Sequence, residues 1–235
     1  MNETSYRFGL ALIRATLRVP PLASALGLIS RVWSRHHKLF GHLRALKFDG
    51  VVDGGANVGE FAGLVRAALP QADLVCVEPH PTSGAYLRKR GYRVVEAALW
   101  RERTRLRLSQ VTTASTSCTV LEVGAQKPED SWDVVAVRLD ELEITGRRIL
   151  VKLDLQGAES IALEGMGALW ERTAALLLEM PVGPSDPSAK LEQLLHERGF
   201  FAYSTTNEFF EHDRVVEADK LWLRRDLTNS APCQT

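Results

Sequence analysis

Two stretches concentrate the residues that could do chemistry. In "VVDGGANVGEFA", residues 51–62, Asp53 stands immediately before a glycine-rich turn that runs into a helical period. In "VKLDLQGAES", residues 151–160, Lys152 and Asp154 close an apolar run and, two residues apart, share one face of a strand. Gly55 and Gly59 allow a backbone to come close to a ligand. Asn57 suits either a turn bonded to its own backbone or a bond to a ligand's carboxylate. Counted from Gly54, glycines fall at the first, second and sixth positions, and Ala56 stands where the dinucleotide fingerprint G-x-G-x-x-G has its second glycine. A carboxylate at Asp53 repels a pyrophosphate. It suits a ligand that carries an ammonium and a sulfonium, as S-adenosylmethionine does, so an NAD enzyme is the disfavoured reading.

A ribose needs an acceptor for its two hydroxyls, and in a doubly wound sheet the end of the second strand is where one can stand. Glu78, at the end of "ADLVCVEP", has the right chemistry, because a carboxylate accepts both hydroxyls with charge assistance. Methyl transfer to a hydroxyl also needs a base beside the acceptor. Asp154 is the first choice for that base or for an acceptor-orienting group, with a cap for the helix near Ala158 as its structural alternative. Glu179, ending "AALLLEM", is next in line. Glu159 falls in a first helical turn, where an acid complements the helix dipole whether or not it is functional. Asp154 with Glu179 lacks a fixed third ligand, so no metal site is assigned. His80 lies near the adenosine by position, while His36, His37 and His42 sit in a basic segment. The polar run Ser115, Thr116, Ser117 and Cys118 reads as a loop, and Phe209 and Phe210 in "NEFFEHD" suit either an acceptor pocket or edge packing.

These groups need a frame. From Phe48, short β-type runs alternate with helical periods, which predicts a parallel sheet covered by helices. "FDGVVDGG", "ADLVCVEP" and "YRVVEAALW" are the first three strands, with helices after the first and over residues 81–90. "RTRLRLSQ" alternates as a half-exposed antiparallel strand does, and "DVVAVRLDEL" is a further candidate. "RRILVKLDLQG" is a buried strand, followed by a helix from Ala158, then "AALLLEM" and a helix over 188–198. "FFAYSTT" and "KLWLRRD" read as an antiparallel closing hairpin. The expected class is α/β, a doubly wound, mostly parallel sheet in a domain over residues 46–228. A basic helical extension (1–45) precedes it and a short tail (229–235) follows.

Length and composition agree with this frame. The chain has 235 residues, 45% hydrophobic and 25% charged, which is globular-average and enough for one α/β domain. Lys plus Arg and Asp plus Glu are 29 each, so no global field favours nucleic acid. The first 50 residues nevertheless carry eight basic side chains against Glu3 and Asp49, a local +6 that leaves −6 on the rest. "FGLALIRATLRVPPLASALGLISRVW" is broken by Arg14, Arg18 and Pro20-Pro21, so it does not span a membrane. It reads as two short amphipathic helices that pack on the domain or cover a cleft; an anionic membrane surface and an Arg-rich transit peptide are alternatives. Three widely spaced cysteines, Cys76, Cys118 and Cys233, make no disulfide or zinc framework and point to a reducing, cytoplasmic compartment.

"VVDGGANVGEFA", "VCVEPHP", "VRLDEL", "VKLDLQGAES" and "LLLEM" together resemble the FkbM family of S-adenosylmethionine-dependent methyltransferases, in order from residue 51 to 180. The resemblance implies a class I methyltransferase fold and O-methylation of hydroxyls on polyketides, sugars or other glycoconjugates. It assigns Asp53, Gly55, Asn57 and Gly59 to the cofactor turn and Glu78 to the ribose. With their neighbours, the cofactor set is Asp53, Gly54, Gly55, Ala56, Asn57, Gly59, Glu78 and Pro79. The acceptor set is Asp154, Glu179 and Lys152. The family pattern D-x-E-G-x-E reads here Asp154-Leu155-Gln156-Gly157-Ala158-Glu159, so no carboxylate role carries over to position 156. The expected acceptor is a hydroxyl on a small molecule, natural product or glycan, and no nucleic acid. An N- or carboxyl-methyltransferase of the same fold, a non-catalytic protein working through its basic arm at a membrane surface, and a homodimer stay open.

Overall fold

The computed structural model describes residues 31–110, 118–120, 131–182, 188–211 and 214–227. Helix α1 (Arg31–Leu46) leads into strand β1 (Gly50–Gly54), helix α2 (Glu60–Ala68), strand β2 (Asp73–Val77), helix α3 (Pro81–Lys89) and strand β3 (Arg93–Val95). Strands β4 (Ala98–Leu99), β5 (Thr104–Gln110), β6 (Cys118–Val120) and β7 (Ser131–Val137) follow. The chain then returns through β8 (Ile149–Leu153), α4 (Glu159–Glu164), α5 (Leu169–Arg172), β9 (Thr173–Pro181), α6 (Ala189–Glu197), β10 (Phe200–Glu211) and β11 (Arg214–Arg224).

One sheet has seven strands in the order β10-β11-β9-β8-β1-β2-β3. Its five central and edge strands from β9 to β3 run parallel, and β11 pairs antiparallel with both β9 and β10. This is the doubly wound sheet with an antiparallel closing hairpin that the sequence pattern predicts. The chain winds one way from β1 through β3 and the other way from β8 through β9, so the order reverses between β1 and β8. Ligands bind in the crevice past the carboxyl ends of strands at such a reversal.

Both faces are covered because β1 and β8 are apolar on both sides, the mark of a buried parallel strand. Val52, Val151, Leu153, Leu176 and Leu178 pack under Leu163, Met166, Leu169 and Leu195 on the α4–α6 side. Val51, Leu150 and Leu177 pack under α1 and α2. Leu39, Phe40 and Leu43 of α1 are buried with Phe61, Leu64 and Val65 of α2. The apolar side of α1, in the segment expected as an N-terminal helical extension, is thus packed on this face of the sheet. Lys38 and Arg44 occupy the exposed side of the same helix.

The stretch "YRVVEAALW", expected as one strand, is two. The carbonyl of Val95 accepts both the Glu78 amide at 3.0 Å and the Ala97 amide at 3.1 Å. The second bond closes a three-residue turn that ends β3 and sends β4 into another sheet. That smaller sheet has the order β4-β7-β5-β6 and a core of Ala98, Leu108, Val134 and Ala136. The alternating "RTRLRLSQ" is its antiparallel β5, paired with β6 and β7. Among the described residues no helix is long and apolar enough to cross a membrane. The segment around Pro20-Pro21, the run Ser115 to Ser117 and the tail 229–235 lie outside the described residues, as do the side chains of Cys118, Phe209 and Phe210.

Candidate functional site

The glycine turn sits past the end of β1, beside the reversal. Gly55 has φ 70°, Asn57 φ 47° and Gly59 φ 82°, three left-handed residues in five. At Gly55 a side chain is also sterically excluded, because a Cβ there would run into the carbonyl oxygen of Asp154. At this point the turn and the end of β8 meet backbone to backbone.

The turn's amides are largely committed inside the protein. Gly55 and Ala56 donate to the Val77 carbonyl at 3.0 and 3.2 Å, and Gly59 donates to Ala56 at 2.8 Å. Asn57 donates its backbone N–H to Glu78 Oε2 at 2.7 Å. A pyrophosphate is held at such turns by amides that point outward; here four of them point elsewhere. This arrangement disfavours a dinucleotide independently of Asp53.

Glu78 is 4% exposed and its other oxygen, Oε1, accepts the His80 amide at 2.8 Å. Burial pushes its carboxyl above the ordinary range, while the His80 and Asn57 amides pull against that. Each oxygen keeps a further lone pair, so the group can still accept from a diol. Pro79 is half-buried and leads into α3. The ring of His80 meets Trp132 edge-to-face, with centroids 5.1 Å apart.

Asp53 is placed differently from the expectation that it faces a ligand. It is fully buried at 0% and pairs in register with Lys152 on β8. Lys152 Nζ lies 3.4 Å from Asp53 Oδ1, and neither Asp53 oxygen has a hydrogen bond of good geometry. Burial raises the Asp53 carboxyl, and the adjoining Lys152 charge opposes the rise. Its contribution is to the support of the turn.

Lys152 is the link between the two halves of the site. Its ammonium donates to the carbonyls of Gly54 at 3.2 Å and Gly55 at 3.0 Å and stands 3.3 Å from Asp154 Oδ2. Burial alone would lower its affinity for a proton, but the Asp53 and Asp154 charges outweigh it and hold the side chain charged. A lysine fixed in this way is a poor base and a good anchor.

Asp154 and Glu179 do come together. Gln156 donates its side-chain amide to Asp154 Oδ1 at 3.2 Å and to Glu179 Oε2 at 3.0 Å. Glu179 is 9% exposed, whereas the Asp154 side chain is 39% exposed, so Asp154 is the member an outside hydroxyl can reach. Burial, then the Asp154 and Glu217 charges, push Glu179 well above the usual carboxylate range. For Asp154 burial acts upward too, but the Lys152 charge and its hydrogen bonds prevail and hold it below that range. The pair divides its roles: an ionised Asp154 beside a Glu179 that keeps a proton.

Two further acids were not legible in advance. Glu217 and Asp219 of β11 lie opposite Pro181 and Glu179 in the β9 register, and both add charge at Glu179. Their spacing of two predicts a shared strand face, but not which strand that face would join. Glu159 is 6% exposed and accepts the Leu155 amide at 2.7 Å, so it holds the turn after β8. Asp154 is not the cap of α4, whose N-cap Ala158 makes no side-chain bond. His42 lies off the site, with Nε2 3.1 Å from Ser204 Oγ. Among the described residues no three His, Cys, Asp or Glu side chains gather as a metal cage.

No family model matches the chain, and no curated protein matches it in sequence. Among solved structures it is similar to an rRNA methylase from Streptococcus thermophilus, at 11% identity over 81% of this chain and 96% of that one, TM-score 0.46. It is similar to precorrin-6y C5,15-methyltransferase from Geobacter metallireducens, at 13% identity over 80% and 84% of the two chains, TM-score 0.43. A third likeness is the N-terminal domain of human METTL16 in complex with SAH, at 15% identity over 81% and 67%, TM-score 0.39. At these identities and TM-scores the likenesses assign no residue and no acceptor.

Proposed function

We propose that this chain is an S-adenosylmethionine-dependent methyltransferase that methylates a hydroxyl on a small molecule, natural product or glycan, as the resemblance of its motifs to the FkbM family implies. The observation that carries the reading is the pairing of a glycine turn whose amides are turned inward with a buried carboxylate, Glu78, at its rim. Such a site is poor for phosphate and good for a ribose diol. The cofactor, when bound, supplies an electrophilic methyl on a sulfonium. Gly54, Gly55, Ala56, Asn57 and Gly59 line its place, Glu78 and Pro79 bound the ribose side, and Asp53 supports the turn through Lys152.

Asp154 Oδ accepts the hydroxyl proton of the acceptor, since it is ionised and the more exposed of the two carboxyls. Glu179 keeps its own proton and leaves Asp154 the only developing partner for that hydroxyl. Lys152 fixes the Asp154 carboxylate and, through the Gly54 and Gly55 carbonyls, its distance from the turn. Ionised Asp154, with Glu217 and Asp219 nearby, disfavours a phosphate backbone next to it, which supports a neutral or cationic acceptor over RNA.

The test has two stages. Calorimetric titration with S-adenosylmethionine, its demethylated product and NAD should show the first two binding at least about a hundredfold more tightly than NAD, a gap near 2.7 kcal/mol. Incubation with methyl-labelled cofactor and panels of polyols, oligosaccharides, amines, carboxylic acids and RNA should then place label on a hydroxyl compound. Equal or tighter NAD binding sinks the cofactor reading, and label on RNA, an amine or a carboxyl group sinks the acceptor reading.

A further inference from the structure

We propose that Gln156 is a positioning residue whose side-chain amide, donating one proton to Asp154 and one to Glu179, sets how these two carboxyl groups share a proton. The inference rests on the reading of Asp154 as the base. Three observations carry it. The amide nitrogen lies within hydrogen-bond distance of Oδ1 of Asp154 and Oε2 of Glu179 at once, 3.2 and 3.0 Å. The backbone of Gln156 is left-handed at φ 55°, a conformation that glycine and asparagine adopt far more readily than glutamine. The following Gly157 is also left-handed, at φ 95°, so the chain folds back over the ends of β8 and β9. Nothing in this exposed turn needs a long side chain except the reach to the two acids.

The groups facing the pair decide what the bridge does. Lys152 approaches from β8 and touches Asp154; Glu159 faces them from the start of α4; Glu217 and Asp219 face them from β11. With this much like charge, the carboxyls cannot all ionise together. A neutral donor of two protons stabilises ionised Asp154 without quenching it and ties Glu179 to it. A glutamate at the same place would add charge and remove both donors. Gln156 therefore adds to the hold of Lys152 on ionised Asp154 while its neighbour stays protonated.

The experiment is a carbon-13 titration of the side-chain carboxyls in the full chain without cofactor, assigned with the Asp154→Asn and Glu179→Gln spectra. Gln156→Gly and Gln156→Asn both tolerate the left-handed backbone, and asparagine is one methylene too short to span the pair. Both should raise the Asp154 titration midpoint by about one pH unit, the worth of a lost hydrogen bond to a charged group. Gln156→Glu should raise it further, through added like charge. The acid limb of the activity profile, where Asp154 must lose its proton to act, should move in the same order. The proposal is overturned if the glycine and asparagine variants titrate as wild type, or if both fail to fold, since a bridge that only positions is not required for folding. If the midpoints move as expected but no acceptor is ever labelled, the bridge stands and the base assignment falls.

Discussion

The carboxylate of Glu78 accepts the backbone N–H of Asn57 at 2.7 Å, joining the end of β2 to the glycine turn after β1. One buried side chain thus both shapes the turn and borders the ligand's place. Glu78→Ala removes the acceptor for the Asn57 and His80 amides and should weaken S-adenosylmethionine binding by roughly 1.5–3 kcal/mol, the range for hydrogen bonds to charged groups. Glu78→Gln keeps one oxygen and should lose less. Calorimetry on both variants decides it, and unchanged affinity in the alanine variant removes Glu78 from the site.

Lys152 stands between Asp53 and Asp154, and Asp53 has no access to water. Lys152→Met leaves Asp53 buried without its counter-charge and should cost about 3–5 kcal/mol of stability. Adding Asp53→Asn removes the orphaned charge, so the double variant should be more stable than the sum of the singles implies. Urea denaturation of the four proteins measures the coupling. Additivity within about 0.5 kcal/mol would show that the two side chains do not act as a pair.

Asp154→Asn preserves shape and removes basicity. Turnover should fall by roughly 10²- to 10⁴-fold, the usual contribution of a positioned general base, with cofactor affinity within a few-fold of wild type. Normal turnover moves the base elsewhere. Lost cofactor binding instead assigns Asp154 to the cofactor's side of the site.

The proton on Glu179 has a consequence for stability. Its folded-state affinity for a proton is raised by burial and by Asp154, so between the ordinary glutamate value and the raised one the folded chain binds more protons than the unfolded chain. Stability from this group is fully present at low pH and is lost as pH rises through that window. Glu179→Gln should flatten the fall, so that the variant gains on wild type as pH increases from 6 toward 9. Thermal unfolding across that range is the measurement; parallel curves would show that Glu179 titrates normally.

Leu43 of α1 is 1% exposed against α2 and the sheet. Leu43→Ala should cost about 2–5 kcal/mol, the range for emptying a core leucine site. Deleting residues 1–46 removes Leu39, Phe40 and Leu43 together and should leave no cooperative unfolding transition. A truncated protein that still melts cooperatively would restore α1 to the status of an appendage.

The order of the strands and helices of the main sheet, the turn at residues 54–59 and the strand-end places of Glu78, Asp154 and Glu179 were legible in the sequence, whereas the split of "YRVVEAALW" into β3 and β4 and the strand β6 at Cys118 were not. Each legible feature is written in adjacent residues: a period of two or 3.6, a glycine where φ is positive, an acid where an apolar run stops. What those acids face was decided only by the tertiary structure. The character of Asp53 depends on the register that sets it opposite Lys152, 99 residues later in the chain. Glu217 and Asp219 join the site because β11 pairs antiparallel with β9, and Gln156 bridges Asp154 to Glu179 because two parallel strands end side by side. Likewise the charge of α1 is written in the sequence, whereas the packing of its Leu39, Phe40 and Leu43 against α2 and the sheet was decided by the tertiary structure. Local patterns set which way a side chain points along its own element, whereas the charge state of a buried group depends on neighbours that only long-range pairing brings within a few ångströms.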